Sequence, residues 1–266
     1  MAVITVLENW QDDQGNRIEF DGRVDANVKI KFTGSGNVLR IASPFRIAKL
    51  VIDFDCDNGL CEIGSSQGVP ALMGAIRVGD GATIRLGDNV STTTTVSMSA
   101  AEGATITLGD DVMIASDVQI RADDGHPIFD VRTGKRVNTP RDITIGSHVW
   151  LGLQSCVLGG AVIGDGTVVG MRSIVTRRLP NNVIAAGVPA KVVKRDIAWE
   201  RPHLTLMKPW RKPDASTVKK SKAYWNLTDD PQGVTVAARR RDLVAGARRK
   251  ARRTARKVVK KVRTLT

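Results

Sequence analysis

The sequence predicts an all-β chain wound as a parallel solenoid, interrupted by one inserted loop and followed by a basic helical tail. Three observations carry this. From Ile143 to Arg178 the chain reads ITIGSH VWLGLQ SCVLGG AVIGDG TVVGMR SIVTRR, and an aliphatic residue returns every sixth place at Ile145, Leu151, Val157, Ile163, Val169 and Val175. Neither a helix nor a plain strand has that period. Small residues recur in phase, with Gly146, Gly152, Gly164 and Gly170 directly after the aliphatics and Ser155, Ala161, Thr167 and Ser173 two places before them. A chain turning by about 120° every six residues makes triangular coils of roughly 18 residues, with each aliphatic stacked on its equivalent one coil away. The third observation is an aromatic content of only 4%, which fits an interior of stacked Val, Ile and Leu.

Residues 1–75 are strand-rich but irregular. Pieces such as RIEFDG, VKIKFTG, NVLRIA and KLVIDFD alternate apolar and polar side chains and end at Gly, Asn or Asp, the pattern of imperfect early coils. The regular body is expected over 76–194. Its phase is visible before the interruption at Leu108, Ile114 and Ile120, and IRVGD at 76–80 and IRLGD at 84–88 echo ITLGD at 106–110 and ITIGS at 143–147. From Ile106 to Ile143 the offset equals two such coils plus one residue. The glycines are expected to let the corners turn tightly.

The body is broken at 122–142 by ADDGHPIFDVRTGKRVNTPRD, rich in charge and holding Gly125, Gly134, Pro127 and Pro140. Those residues make it a loop, and a loop on a rigid scaffold is a usual carrier of function. Residues 195–238 lose the repeat and read as an extended arm, with Trp199, Trp210, Tyr224 and Trp225 as anchors against the solenoid or a neighbouring subunit. Over 239–266, Leu243, Ala247, Ala251, Ala255, Val258 and Val262 recur every three or four places among basic residues, which outlines a basic amphipathic helix.

The charge is concentrated. Residues 239–266 hold thirteen Lys or Arg and one acid, a net +12, so the other 238 residues carry +1 of the total +13. Attraction to an anionic membrane surface or anionic polymer therefore resides in the tail. The tail lacks the interleaved aromatics that would favour nucleic acid. The opening MAVITVLENWQDD has neither a basic lead nor a cleavage site, and no apolar run reaches the length of a membrane span, so a cytoplasmic protein is expected. Three cysteines, Cys56, Cys61 and Cys156, do not make a disulfide framework, and no metal site is expected of them.

Of three histidines, His126 in the loop stands out. It follows Asp123, Asp124 and Gly125 and precedes Pro127, a constrained turn with carboxylates near enough to orient an imidazole. Such a ring accepts a proton from a hydroxyl or amine near neutral pH and returns it later. Its carboxylate partner is left open between Asp123, Asp124, Glu102 and a residue from a neighbouring coil. His148 reads as structural.

ITLGDDVMIASDVQIRADDGHPIFD, the later ITIGSHVWLG and the finish VVGMRSIVTRRLPNNVIAAGVPAKVVKR closely resemble the hexapeptide-repeat acyltransferases, which are left-handed parallel β-helix enzymes. The loop wording is most similar to bacterial polysaccharide and capsule O-acetyltransferases. The resemblance covers about 104–195 and implies a homotrimer with sites between neighbouring β-helices, acetyl-CoA as co-substrate and a saccharide acceptor. It implies His126 as the base that deprotonates the acceptor for direct attack on the thioester. It further implies Trp150 lining the site, Gly152 admitting the pantetheine arm, Met171, Thr176 and Arg177 on the rest of the cofactor, and Lys191 and Lys194 on its phosphates. Leu153 and Met171 are larger than the small residues usual at those places. The alternatives are an N-acetyltransferase acting on a nucleotide sugar, and a β-helix scaffold that works through its tail. A γ-class carbonic anhydrase would need three suitably spaced zinc-binding histidines, which His126, His148 and His203 do not supply.

Overall fold

A computed structural model of the chain describes residues 1–229. The tail at 239–266 and the end of the arm at 230–238 lie outside the described residues. The strands fall into three sheets of nine, six and eight strands, here I, II and III; the early coils alternate between sheets I and III, and from Thr83 onward each coil visits I, II and III in that order. One coil, for example, runs through Thr105–Leu108 on sheet I, Met113–Ile114 on sheet II and Gln119–Arg121 on sheet III. Strands of successive coils pair in parallel, so the molecule is a parallel β-helix of triangular section in this region.

The sixth-place aliphatics form the interior. On sheet I, Leu108 stacks through Ile145 and Ile163 to Leu179, on sheet II Ile114 through Leu151 to Val169, and on sheet III Ile120 through Val157 to Val175. All are buried. Because each side chain meets its equivalent about 4.8 Å away, one aliphatic per strand is enough to build a continuous column.

The coil length differs from the sequence expectation. Ile145 lies opposite Ile163, one coil of 18 residues, but Leu86 lies opposite Leu108, a coil of 22. Ile106 pairs directly with Ile143, so the interruption is one coil enlarged by the loop rather than two coils and a residue. Ile84 stacks on Ile106, whereas Ile76 belongs to sheet III and faces Met98. IRVGD is thus a rhyme without a structural equivalence.

The wider coils also take rings. Trp10, Phe32 and Phe54 stack inside the N-terminal end at centroid distances of 5.2 and 4.9 Å, which corrects the expectation of an interior without large rings. A coil of greater circumference leaves more space than branched aliphatics fill.

Antiparallel strands cap sheets I and III at the N-terminal end and sheet II at the C-terminal end. Ala2–Ile4 pairs with Val28–Phe32 and Trp10–Gln11 with Arg17–Phe20 at one end, and Lys191–Lys194 with Ile184–Ala186 at the other. An open strand edge is a template for unwanted pairing, and these strands cover it.

The column glycines do not supply the tight backbone. Left-handed φ falls two places after the column position, at Asn89, Asp111, His148, Gly166 and Asn182 on the I–II corner, with φ of 52 to 67°. The glycines make room instead. A Cβ on Gly146 would stand 2.2 Å from Asp165 Oδ1, which accepts the Ser147 N–H at 2.8 Å. The same seat recurs at Gly64, Gly87 and Gly109, filled by Asp88, Asp110 and Ser147 of the next coil.

Candidate active site

The loop leaves sheet III after Arg121 and rejoins sheet I at Ile143, so its root is the III–I corner. In a triangular section that corner lies opposite sheet II. Trp150 begins the Trp150–Leu151 strand of sheet II and points outward, 38% exposed, because its neighbour Leu151 fills the interior.

At the loop root the Asp123 carboxylate is buried and fully engaged. It accepts from Ser99 Oγ at 2.6 Å, from Arg77 at 3.0 Å and from the Gly125 N–H at 3.0 Å, and Arg77 is tied in turn to Asp55 at 2.6 Å. Asp123 therefore anchors the backbone before His126. Asp124 accepts from Asn138 and Glu102 pairs with Arg136. None of the three carboxylates considered from sequence meets the exposed imidazole of His126, which has no side-chain hydrogen bond among the described residues.

The other expected residues fall into groups. Trp150, Gly152 and Met171 lie together on sheet II and its corner toward sheet III: a Cβ on Gly152 would reach Val169 O at 2.6 Å and Met171 N at 2.8 Å. The glycine is thus required by the next coil, whatever else approaches it. Met171 is exposed. Thr176 and Arg177 follow Ile174–Val175 at the III–I corner, the corner from which the His126 loop departs two coils earlier. Lys191 and Lys194 are exposed on the strand that closes sheet II, and neither has an ion pair among the described residues.

A further piece of architecture was missed by reading the sequence. The chain after the last coil folds back along the I–II corner and is locked there by His148. The buried imidazole lies between the rings of Trp199 and Tyr224, 4.1 and 4.4 Å away, bonding through Nδ1 to Asp111 at 2.5 Å and through Nε2 to the Trp199 carbonyl at 3.0 Å. Burial pulls the imidazole pKa down, but the Asp111 bond outweighs it and the net shift is upward. Burial likewise opposes ionisation of Asp111, and the His148 and Arg201 contacts overcome it, so that carboxyl is held low. Arg201 reaches Asp111 and Ser91, and Glu200 receives Ser221 and Trp225. Trp199 and Tyr224 anchor the arm to the solenoid, whereas the contacts of Trp225, to Glu200 and Lys220, stay within the arm, and Trp210 is 62% exposed with Lys208 over its ring. The five corner positions share one conformation, and a histidine among Asn, Asp and Gly was the available signal.

The arm gives Trp150 a wall. Trp199 lies 5.8 Å from the Trp150 ring, and Arg201 to Leu206 rise beside a cleft of about 820 Å³ floored by Thr92, Met113 and Trp150. His126 does not line this cleft.

A parallel β-helix carrying a long loop with a free imidazole, and an aromatic cleft on another face, places the chain among the β-solenoid proteins that carry candidate reactive groups on a rigid coil. No family model matches the chain. It is 37% identical over 117 residues to the galactoside O-acetyltransferase of Escherichia coli strain K12, which is 43% of this chain and 45% of that protein. Against the polysialic acid O-acetyltransferase of Escherichia coli O1:K1 / APEC it is 42% identical over 78 residues, 29% and 25% of the two chains. The matches thus span less than half the length of these curated relatives. The crystal structure of the polySia specific acetyltransferase NeuO superposes with a TM-score of 0.59 at 33% identity, over 68% of this chain and 84% of that one. The chain belongs to the hexapeptide-repeat acetyltransferases, and its solenoid is the left-handed parallel β-helix of that family.

Proposed function

We propose that the protein transfers an acetyl group from acetyl-CoA to a hydroxyl of a cell-surface polysaccharide or its precursor, with His126 as general base. The observation that carries the reading is the exposed imidazole, free of protein partners yet mounted on a loop rooted in buried Asp123. The ring takes the hydroxyl proton as that oxygen attacks the thioester carbonyl. The C–S bond then breaks, and the departing thiolate receives the proton back. Direct transfer requires no acyl-enzyme.

The acceptor class rests on relatives whose names specify polysialic acid and galactoside. A sugar ring is a flat apolar face edged with hydroxyls, and exposed Trp150 beside Thr92 and Thr93 offers a matching surface in the cleft. Lys191 and Lys194, exposed and without an ion pair among the described residues, suit the phosphates of the coenzyme.

The two halves of this site do not meet in one chain. His126, Thr176 and Arg177 belong to the III–I corner, and Trp150, Gly152 and Met171 to sheet II and its far corner. Side-by-side packing of copies in a trimer joins one subunit's corner to another's face, and this reading places the reaction there. The basic tail then holds the assembly peripherally at an anionic inner membrane surface, in the cytoplasm.

The test is thiol release from acetyl-CoA with a panel of oligosaccharides that begins with polysialic acid. His126→Ala should reduce it by at least about 100-fold; full activity in that variant would remove the base. Co-assembly of His126→Ala with Trp150→Ala subunits should restore part of the activity that neither has alone. Mixed assemblies as inactive as their parents would refute a site shared between copies.

A further inference from the structure

The imidazole of His126 is free, but its backbone is gripped from both sides. Asp123 holds the residue before it by accepting the Gly125 N–H. The other grip comes from Asn138, twelve residues downstream on the returning limb of the loop. Its Nδ2 donates to the His126 carbonyl at 2.8 Å and to Asp124 Oδ2 at 2.9 Å, while its Oδ1 accepts the Ile128 N–H at 2.7 Å and Arg136 Nε at 3.3 Å.

A primary amide has two N–H donors and two acceptor lone pairs, so Asn138 is saturated within the loop. It has nothing left for a substrate. The limb that carries it is fixed independently, since Val137 N–H donates to the Ile128 carbonyl at 2.9 Å and Arg136 reaches Glu102 on the solenoid at 2.6 Å. The staple therefore refers the His126 peptide to the rigid body.

We infer that Asn138 is a positioning residue for His126: it fixes the His126 carbonyl, and with it the direction in which the Cα–Cβ bond carries the imidazole. This rests on the reading of His126 as the base. Aspartate at this place would keep the acceptor for Ile128, lose the donor to His126 and set a second carboxylate against Asp124. Alanine would lose all four bonds.

The experiment is a double-mutant cycle on the full chain, measuring acetyl-CoA thiol release with the same oligosaccharide panel and melting temperature alongside. Asn138→Ala should lower kcat by about 10- to 100-fold, the scale of a displaced reacting group. The KM for acetyl-CoA and the melting temperature should hold. In the His126→Ala background the same substitution should change the residual rate by less than about threefold, because residues that act as a unit are non-additive. An equal loss in both backgrounds, a rise in KM at unchanged kcat, or no loss in either would overturn the inference. Full activity of His126→Ala alone would instead overturn the base, so the two failures are distinguishable.

Discussion

Replacing His148 with alanine should release the arm from the solenoid without unfolding the solenoid. Two ring stacks are lost, at 4.1 and 4.4 Å, and each contributes about 1 kcal/mol. The bonds to Asp111 and to the Trp199 carbonyl are lost as well, about 2 kcal/mol together after exchange with water. The sum is about 4 kcal/mol, or about 10³ in the opening equilibrium of the arm at 1.4 kcal/mol per decade. Native-state hydrogen exchange reads this directly. The amides of Ile197, Ser221 and Thr228 are bonded to Asn182, Glu200 and Asp196 and should lose about three decades of protection, while those of the interior strands keep theirs. Protection of the arm amides within about fivefold of the unaltered protein would refute the reasoning.

The same lock should respond to pH. The folded pKa of His148 is raised from its usual 6.5, so its contribution is complete below that value and is lost as pH rises through the folded one. Asp111 is lowered from 3.8, so its contribution is complete above 3.8 and is lost as pH falls through the lower folded value. Arm protection, corrected for intrinsic exchange, should therefore peak between these limits and decline on the alkaline side; a rise above pH 7 would contradict it. Gly146→Ala, which forces a Cβ to 2.2 Å from Asp165 Oδ1, should destabilise by about 3 kcal/mol through strain and the broken Ser147 bond, measured by thermal melting. Leu151→Ala, buried between Ile114 and Val169, should cost about 2–5 kcal/mol in denaturant unfolding. Removing residues 239–266 should abolish binding to anionic vesicles and leave activity on a soluble acceptor; retained vesicle binding would exclude the tail as the anchor.

The solenoid was legible because its last coils hold 18 residues, so the aliphatic from Ile145 to Val175 keeps step with a six-residue window. Before the loop the coils hold 21 to 24, most often 22, and that window drifts. Phe32 and Phe54 stand 22 apart and stack, a signal that a search at the longer period would have found. The glycine column was visible, but its cause lies in the side chain of the following coil and cannot be seen along one strand. His126 and Trp150 were legible as residues and not as neighbours, since one chain sets them on opposed parts of its section. Asn138 stands in the loop segment that the sequence marks out, yet its four bonds depend on how the two limbs of the loop meet. The His148 lock joins residues 37, 51 and 76 positions apart, a separation at which no local pattern exists.

The seats beneath the column glycines give the β-helix a direction. At Gly64, Gly87, Gly109 and Gly146 the later coil supplies the oxygen and the earlier coil supplies the hollow and the N–H. Trimming from the N-terminal side therefore strips a hollow and returns a carboxylate or hydroxyl to water, where it is well solvated. Trimming from the C-terminal side leaves a vacant notch with an orphaned amide at its rim. Shortened versions of this protein should consequently survive loss of leading coils better than loss of trailing ones, and engineered lengthening should splice new coils in before the loop rather than after the last turn.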